Sequence, residues 1–297
     1  MRKQILFNDH YQNYKRYGLH KAQLILADIP YNVGKNAYGS NPSWYIDGDN
    51  ANGESELAGT KFFDTDENFK PPEFMHFCSK MLKKEPKGTG AAPCMIVFCS
   101  FLQQFPLIEL AKNYGLNNHI NLVFRKNYSA QVLKANMRVV GNAEYAILFY
   151  RDKLPKFNNN KKMIFNVMDW ERDNNTPKAH PCQKPVPLLM KLIEIFTDEK
   201  DIVIDPVAGS GTTLVAAIKL GRKAYGFEIK KDFFKQATEL INTARDIKEY
   251  GYDKTVMEND KGSLFSQNKE GDYVSLVKES VAADSGVLKG QERAGRL

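Results

Sequence analysis

The sequence predicts an α/β fold built on a mostly parallel sheet of seven strands. Two observations carry this: seven short apolar runs, and helical-period patterns lying between several of them. Runs of this kind, apolar on both sides rather than alternating, suit strands covered on both faces.

The runs are Ile5–Phe7, Leu24–Ala27, Met95–Cys99, Ile120–Arg125, Tyr145–Tyr150, Ile202–Asp205 and Ala224–Ile229, each rich in β-branched or aromatic residues. In Phe74–Lys84 the apolar positions Phe74, Phe77, Cys78 and Met81 fall on one helix face. Leu188–Phe196 and Leu214–Leu220 repeat that pattern, and Phe233–Ile247 closes the folded part. Two segments break the rhythm. Tyr38–Pro72 is rich in Gly, Asn, Ser and Asp and too long for a simple connection, so it reads as a lid or an insertion. Residues 153–177 combine an Asn run, basic residues and Trp170, and read as an irregular insert spanning about 151–178. Beyond Tyr250 the chain is polar, of mixed charge and poor in large apolars, which predicts one folded domain over 1–250 and a disordered tail over 251–297.

The chain has 297 residues, 42% of them hydrophobic and 11% aromatic, enough for a sizeable core. No run approaches the ~18 apolar residues needed to cross a bilayer. The start carries no apolar signal region, so a cytoplasmic protein without membrane contact is expected. Cys78, Cys94, Cys99 and Cys182 form no CxxC and have no His at ligand spacing; neither a disulfide framework nor a metal site is expected.

Net charge is +7, unevenly spread. From Leu110 to Ala143 there are five basic residues (Lys112, Arg125, Lys126, Lys134, Arg138) and no acid, and from Arg151 to Lys191 nine basic and four acidic ones. Asp47 to Glu73 holds eight acids against two lysines. A basic middle suits a polyanion such as DNA and equally a solvated basic surface.

Three motifs carry chemistry. In Ile202–Leu214 (IVIDPVAGSGTTL) a buried strand runs into a glycine turn and then a helix, a place where backbone approaches a ligand closely and helix N–H groups stand open. No Lys follows Gly211, so this is not a P-loop, and the third Gly of a hydride-transfer fingerprint is missing. Glu228 ends the next strand, 17 residues past Gly211, where an acid takes ribose hydroxyls in doubly wound folds. The pair points to an adenosine-containing cofactor. In Leu24–Asn32 (LILADIPYN) a strand ends in Asp28, a hydrogen-bond acceptor, then Pro30 and Tyr31, whose ring can stack on a base. Taken alone this is equally an ordinary strand end before a Pro turn. In His180–Leu189 (HPCQKPVPLL) prolines set the course into a helix, and Lys184 can reach a carboxylate; no nucleophile accompanies His180.

Together the three segments resemble the family of DNA amino-methyltransferases, whose signatures are (D/N/S)PP(Y/F), DPFxGSGTT and HPTxKP. The order here, catalytic motif, basic stretch, HPxxKP, glycine turn, resembles the β-group. Asn8-Asp9 is similar to the acid that contacts the cofactor's adenine, and Asn142–Tyr150 to a strand carrying a Glu. The resemblance spans roughly residues 4 to 245. It implies a seven-stranded sheet of class I methyltransferase type with one antiparallel strand. It also implies S-adenosylmethionine as cofactor and transfer of its methyl group to the exocyclic amine of a flipped-out DNA base. Asp28 and the Ile29 carbonyl would accept the amine's hydrogens, with Pro30 stiffening the turn and Tyr31 stacking the base. Asp205, Gly209, Ser210, Gly211 and Thr212 would hold the cofactor, with Glu228 on its ribose, Asp9 near its adenine and Lys184 near its methionine end. Lys126, Lys134, Arg138, Lys161 and Lys162 would meet DNA phosphates in one cleft beside Asp28, and Trp170, Asn158 and Asn159 would set the site methylated.

Three positions depart from the family pattern: Ile29 for Pro, Val207 for Phe and Cys182 for Thr. None removes a reacting group. Asp at the head of the catalytic motif points to adenine N6. Cytosine N4, an RNA or protein amide substrate, or an inactive DNA-binding relative stay as alternatives. A companion restriction enzyme and a homodimer are both compatible with this reading, and the sequence selects neither.

Overall fold

In the computed structural model the described residues are 4–31, 69–127, 131–134, 139–171, 173–177 and 183–250. Arg138, His180–Cys182, most of the 38–72 stretch and the 251–297 tail lie outside them. The main sheet has eight strands where seven are expected. They are β1 (Leu6–Phe7), β2 (Leu24–Asp28), β3 (Cys94–Cys99), β4 (Asn118–Lys126), β7 (Ala143–Tyr150), β8 (Val167–Trp170), β9 (Ile202–Asp205) and β10 (Lys223–Phe227). Their spatial order is β1-β10-β9-β2-β3-β7-β4-β8. Only β7 runs antiparallel to its neighbours, pairing that way with both β3 and β4. All seven expected strands are present. The eighth, β8, comes from the segment read as an irregular insert, where Met168 and Trp170 turn inward on an otherwise exposed edge. Four residues of alternating burial among Asn and Lys leave too weak a pattern to read from sequence. A separate ribbon pairs β5 (Gln131–Lys134) with β6 (Val139–Gly141).

Both faces of the sheet are covered. Helices α3 (Val186–Phe196), α4 (Thr212–Lys219) and α5 (Lys231–Tyr250) lie on one face, whose core includes Leu24, Leu26, Ile96, Leu192, Leu214 and Ile241. On the other, α1 (Pro71–Met81), α2 (Gln104–Lys112) and a 3-10 helix (Tyr11–Tyr17) cover Ile25, Ala27, Val97, Phe77 and Ile204. Successive residues of β2 feed opposite cores, the reason its sequence is apolar throughout. Cys78, Cys94 and Cys99 are buried in these layers, and burial pushes the Cys99 thiol up to about 12. They pack as small apolar groups. Prolines sit in the first turns of α1 and α3, where a missing N–H costs nothing.

The connectivity places a ligand crevice. From β2 the chain moves on to β3 on one side, and from β9 to β10 on the other, while β2 and β9 are themselves parallel neighbours. Loops leaving their carboxyl ends must diverge, which opens a cleft at that switch point. Asp28 and Asp205 end these two strands.

Candidate active site

On the β9 side, the turn Pro206–Gly211 reverses the chain into α4. Gly209 and Gly211 have φ of 49° and 76°, in the left-handed region. A Cβ built on Gly211 would come within 3.0 Å of Ala237 Cβ and 3.2 Å of Ile241 Cδ1, both on α5. At Gly211, then, packing against α5 already excludes a side chain. Ser210 and Thr212 are buried, with their hydroxyls 3.3 Å apart. Glu228 closes over the turn, Oε2 accepting from Gly209 N at 2.9 Å and Oε1 from Lys230 N at 2.7 Å. Burial outweighs these bonds and raises its pKa. Asp205 is buried, accepts from Val207 N at 3.1 Å, and burial pushes it up to about 7 against the Thr213 and Val207 hydrogen bonds, with Asp28 and Glu228 adding to the rise.

Asp9 reaches this edge because β1 pairs with β10, Glu228 N donating to Phe7 O at 3.0 Å. Its carboxylate, however, is committed to the 3-10 helix. Oδ1 accepts from His10 N (2.7 Å) and Asn13 Nδ2 (2.6 Å), and Oδ2 from the Tyr17 hydroxyl (2.7 Å). The Asn13 and Tyr17 bonds hold it below the usual carboxylate range.

On the β2 side, Lys184 comes from the segment leading into α3, is 7% exposed, and donates to Asp28 Oδ2 at 2.7 Å. The carboxylate that Lys184 reaches is thus that of Asp28, a partner the sequence does not name. Its ammonium lies 5.3 Å from the Tyr31 ring centroid, 5.3 Å from that of Phe98 and 5.6 Å from that of Trp170. Asp28 Oδ1 is covered and has no hydrogen-bond partner among the described residues. Burial raises the Asp28 pKa, with Lys184 opposing and Glu144 reinforcing the rise.

The Ile29 departure now has a physical account. Its side chain is core, 2% exposed, and its N–H donates to Phe98 O at 3.2 Å, extending the pairing of β2 with β3. Proline has no such donor, so Ile replaces ring rigidity with a strand hydrogen bond. Pro30 O accepts from Gln103 Nε2 at 2.8 Å, while Gln103 Oε1 takes Ser100 N at 2.9 Å, tying the turn after β2 to the start of α2. Sequence reading missed Gln103; nothing marks it in a stretch not recognised as a helix start.

The Tyr31 hydroxyl donates to Glu144 Oε2 at 2.7 Å, and the Lys126 ammonium holds Glu144 Oε1. The Lys126 and Glu144 side chains are only 13% and 16% exposed. Lys126 is therefore an internal ion-pair partner rather than an open phosphate contact. Glu144 is the acid of the strand Asn142–Tyr150 that the family resemblance singles out, though the sequence does not give its partners.

The remaining DNA-contact expectations divide. Lys134 lies on β5 of the ribbon that follows Lys126. Lys161 and Lys162 do not line the Asp28 cleft. Their turn (Lys162 N to Asn159 O, 2.8 Å) follows Asn158, whose N–H bonds Ile195 O at 2.7 Å and whose Nδ2 bonds Thr197 O at 3.0 Å. Those partners end α3 and precede β9, at the edge opposite Asp28. Asn158 and Asn159 are used internally, the latter on Lys162 O at 2.8 Å. Trp170 is 4% exposed and packs edge-on against Phe98. Of the three, only Trp170 is buried; Asn158 is exposed and sits with Lys161 and Lys162 at the edge opposite Asp28.

A family model described as DNA methylase, of N6/N4 type, matches residues 22–239. The chain belongs to that family. Its members take S-adenosylmethionine as methyl donor. The chain is 28% identical over 263 residues, 82% of its length and 83% of the relative's, to the DNA adenine methyltransferase YhdJ of Escherichia coli K12. It is 35% identical over 103 residues, 34% of this chain and 38% of the relative, to the type II methyltransferase M2.DpnII of Streptococcus pneumoniae. Among solved structures, the M1.HpyAVI–SAM complex superimposes with a TM-score of 0.56 at 22% identity, covering 80% of this chain and 98% of that one. The cytosine-N4-specific PvuII DNA methyltransferase gives 0.58 at 15%, covering 85% and 89%. These two likenesses show the fold.

Proposed function

We propose that this chain transfers the methyl group of S-adenosylmethionine to N6 of adenine in DNA, with Asp28 and the Ile29 carbonyl as acceptors for the amine. The placement of the Asp28 carboxylate carries this reading: it ends β2 at the switch-point cleft, its side chain 29% exposed, with Lys184 holding Oδ2. A carboxylate offers about four acceptor sites, so the Lys184 bond leaves capacity for an amine N–H. With its two hydrogens accepted by Asp28 and the Ile29 carbonyl, the nitrogen is drawn toward tetrahedral geometry and its lone pair freed from the ring. When bound, the cofactor supplies an electrophilic methyl group. Asp28 and the Ile29 carbonyl would aim the amine lone pair at that methyl group, and the nitrogen, once methylated, would shed a proton. The raised pKa of Asp28 suits it to receive that proton. The target base has to leave the duplex, and Tyr31 gives it a ring to stack on.

The glycine turn fits the cofactor. Each Glu228 oxygen accepts one backbone N–H, and a carboxylate offers about four acceptor sites, so capacity for ribose hydroxyls remains. DNA is supported by the ribbon of β5 and β6, inserted between β4 and β7 where Arg125 pairs with Ala143, at the Asp28 edge. Lys134 belongs to it, and a two-stranded ribbon fits a major groove. Adenine is supported by Asp at the head of the motif and by the adenine-specific name of the relative matched over most of both chains.

Transfer of labelled methyl groups to duplex DNA, RNA and protein, followed by digestion to nucleosides, tests the reading. Label in N6-methyldeoxyadenosine is expected. Label in N4-methyldeoxycytidine would overturn the base assignment, and label only in RNA or protein the choice of DNA.

A further inference from the structure

Three side chains from separate strands and turns meet behind the catalytic loop. Tyr31 follows Pro30, Glu144 lies on β7 and Lys126 ends β4. The phenol donates to Glu144 at 2.7 Å, and Lys126 holds the other carboxylate oxygen. The Lys126 ammonium also lies 5.1 Å from the centroid of the buried Trp170 ring.

We propose that Glu144, secured by Lys126, is a positioning residue for methyl transfer: it fixes the Tyr31 ring in the orientation on which the flipped base stacks. The inference rests on reading Tyr31 as that platform. A hydrogen bond at the far end of a tyrosine ring fixes the direction of its long axis and, because a phenolic O–H lies in the ring plane, biases that plane as well. A charged acceptor makes such a bond roughly twice as strong as a neutral one. Burial works against the charge on Glu144, but the Lys184 and Lys126 ammoniums and the Tyr31 hydroxyl outweigh it and hold the group below the usual carboxylate range. The acceptor therefore stays ionised wherever the enzyme works.

Sheet stability does not explain the pair. β4 and β7 are already joined from Asn118↔Tyr150 to Arg125↔Ala143. A buried ion pair adds little stability compared with apolar residues of the same volume. What Glu144 supplies is an acceptor for the Tyr31 hydroxyl from a strand outside the turn.

The test uses the full-length protein and a duplex with 2-aminopurine at the target base, the site first being fixed by methylation-sensitive sequencing. Glu144→Ala should lower kcat by ~10–100-fold, the scale of a small misplacement of a reacting group, with the KM for S-adenosylmethionine unchanged. The flipped 2-aminopurine should emit more brightly, having lost its stacking partner. Glu144→Gln, which keeps an acceptor oxygen, should recover most of the rate. Tyr31→Phe, which deletes only the hydroxyl, should match Glu144→Ala, and the double variant should lose no more than either. Wild-type kcat and emission in Glu144→Ala, or additive losses in the double variant, would overturn the proposal. If Glu144→Ala does not fold, Tyr31→Phe decides alone: wild-type rate and emission there overturn it. A wild-type protein that methylates no DNA would instead sink the functional reading.

Discussion

The two halves of the site are held together in different ways. On the cofactor half, acids are satisfied largely by backbone and by near neighbours: Glu228 by the N–H groups of Gly209 and Lys230, Asp205 by that of Val207, Asp9 by His10, Asn13 and Tyr17. On the base half the bonds run from side chain to side chain across the fold, Asp28 to Lys184, Tyr31 to Glu144, Lys126 to Glu144. A backbone-built site depends on the chain's turns. A side-chain-built site depends on strand order, and there a single truncation removes an interaction for which no neighbour can substitute.

The sharpest break of this contrast is Asp28→Ala. Methyl transfer should fall by about 10²–10³-fold or more, the scale seen when one preorganised hydrogen-bonding group is removed. Affinity for S-adenosylmethionine, measured by calorimetry, should change little, because the glycine turn does not involve Asp28. A parallel loss of both would show the halves to be one unit.

Gly211→Val tests the other half. Because a Cβ there meets Ala237 and Ile241 on α5 and φ is 76°, the expected result is a protein that melts well below wild type or fails to fold. A stable variant that had lost only cofactor binding would return Gly211 to the cofactor surface.

Asp205 gives a smaller, pH-dependent effect. Its folded pKa of about 7 lies above the ordinary aspartate value of 3.8, so the folded state holds the proton more tightly than the unfolded one. Its contribution to stability is therefore fully present at low pH and is lost as pH rises through the window from about 4 to 7. Asp205→Asn keeps an acceptor for Val207 N and removes this slope. Thermal unfolding should show the variant gaining on wild type at pH 8 relative to pH 5; equal differences at both would refute the assignment.

The smallest change is expected from Lys161→Glu with Lys162→Glu. On the edge opposite Asp28, they should leave the slope of log affinity against log salt unchanged. A drop of roughly 0.9 per lysine would mean that DNA reaches that edge.

Much of this was legible before any coordinates. The seven runs became strands, and the glycine turn, Glu228 and Asp28 fell at strand ends facing one cleft, because a buried strand and the turn after it are written in contiguous residues. The misreadings share one cause. Lys126, Trp170 and Lys161 were judged by residue type within a basic stretch, whereas their roles depend on which strand they neighbour. Trp170 turns inward because β8 pairs with β4; Lys126 is internal because β4 pairs with β7, which brings it to Glu144. The sequence by itself determined the fold class and the family, since local period, turn chemistry and motif order need no partner. Tertiary structure alone decided which cation meets which carboxylate. Such pairs join residues as far apart as 28 and 184, and only the order of strands in the sheet places them within 2.7 Å.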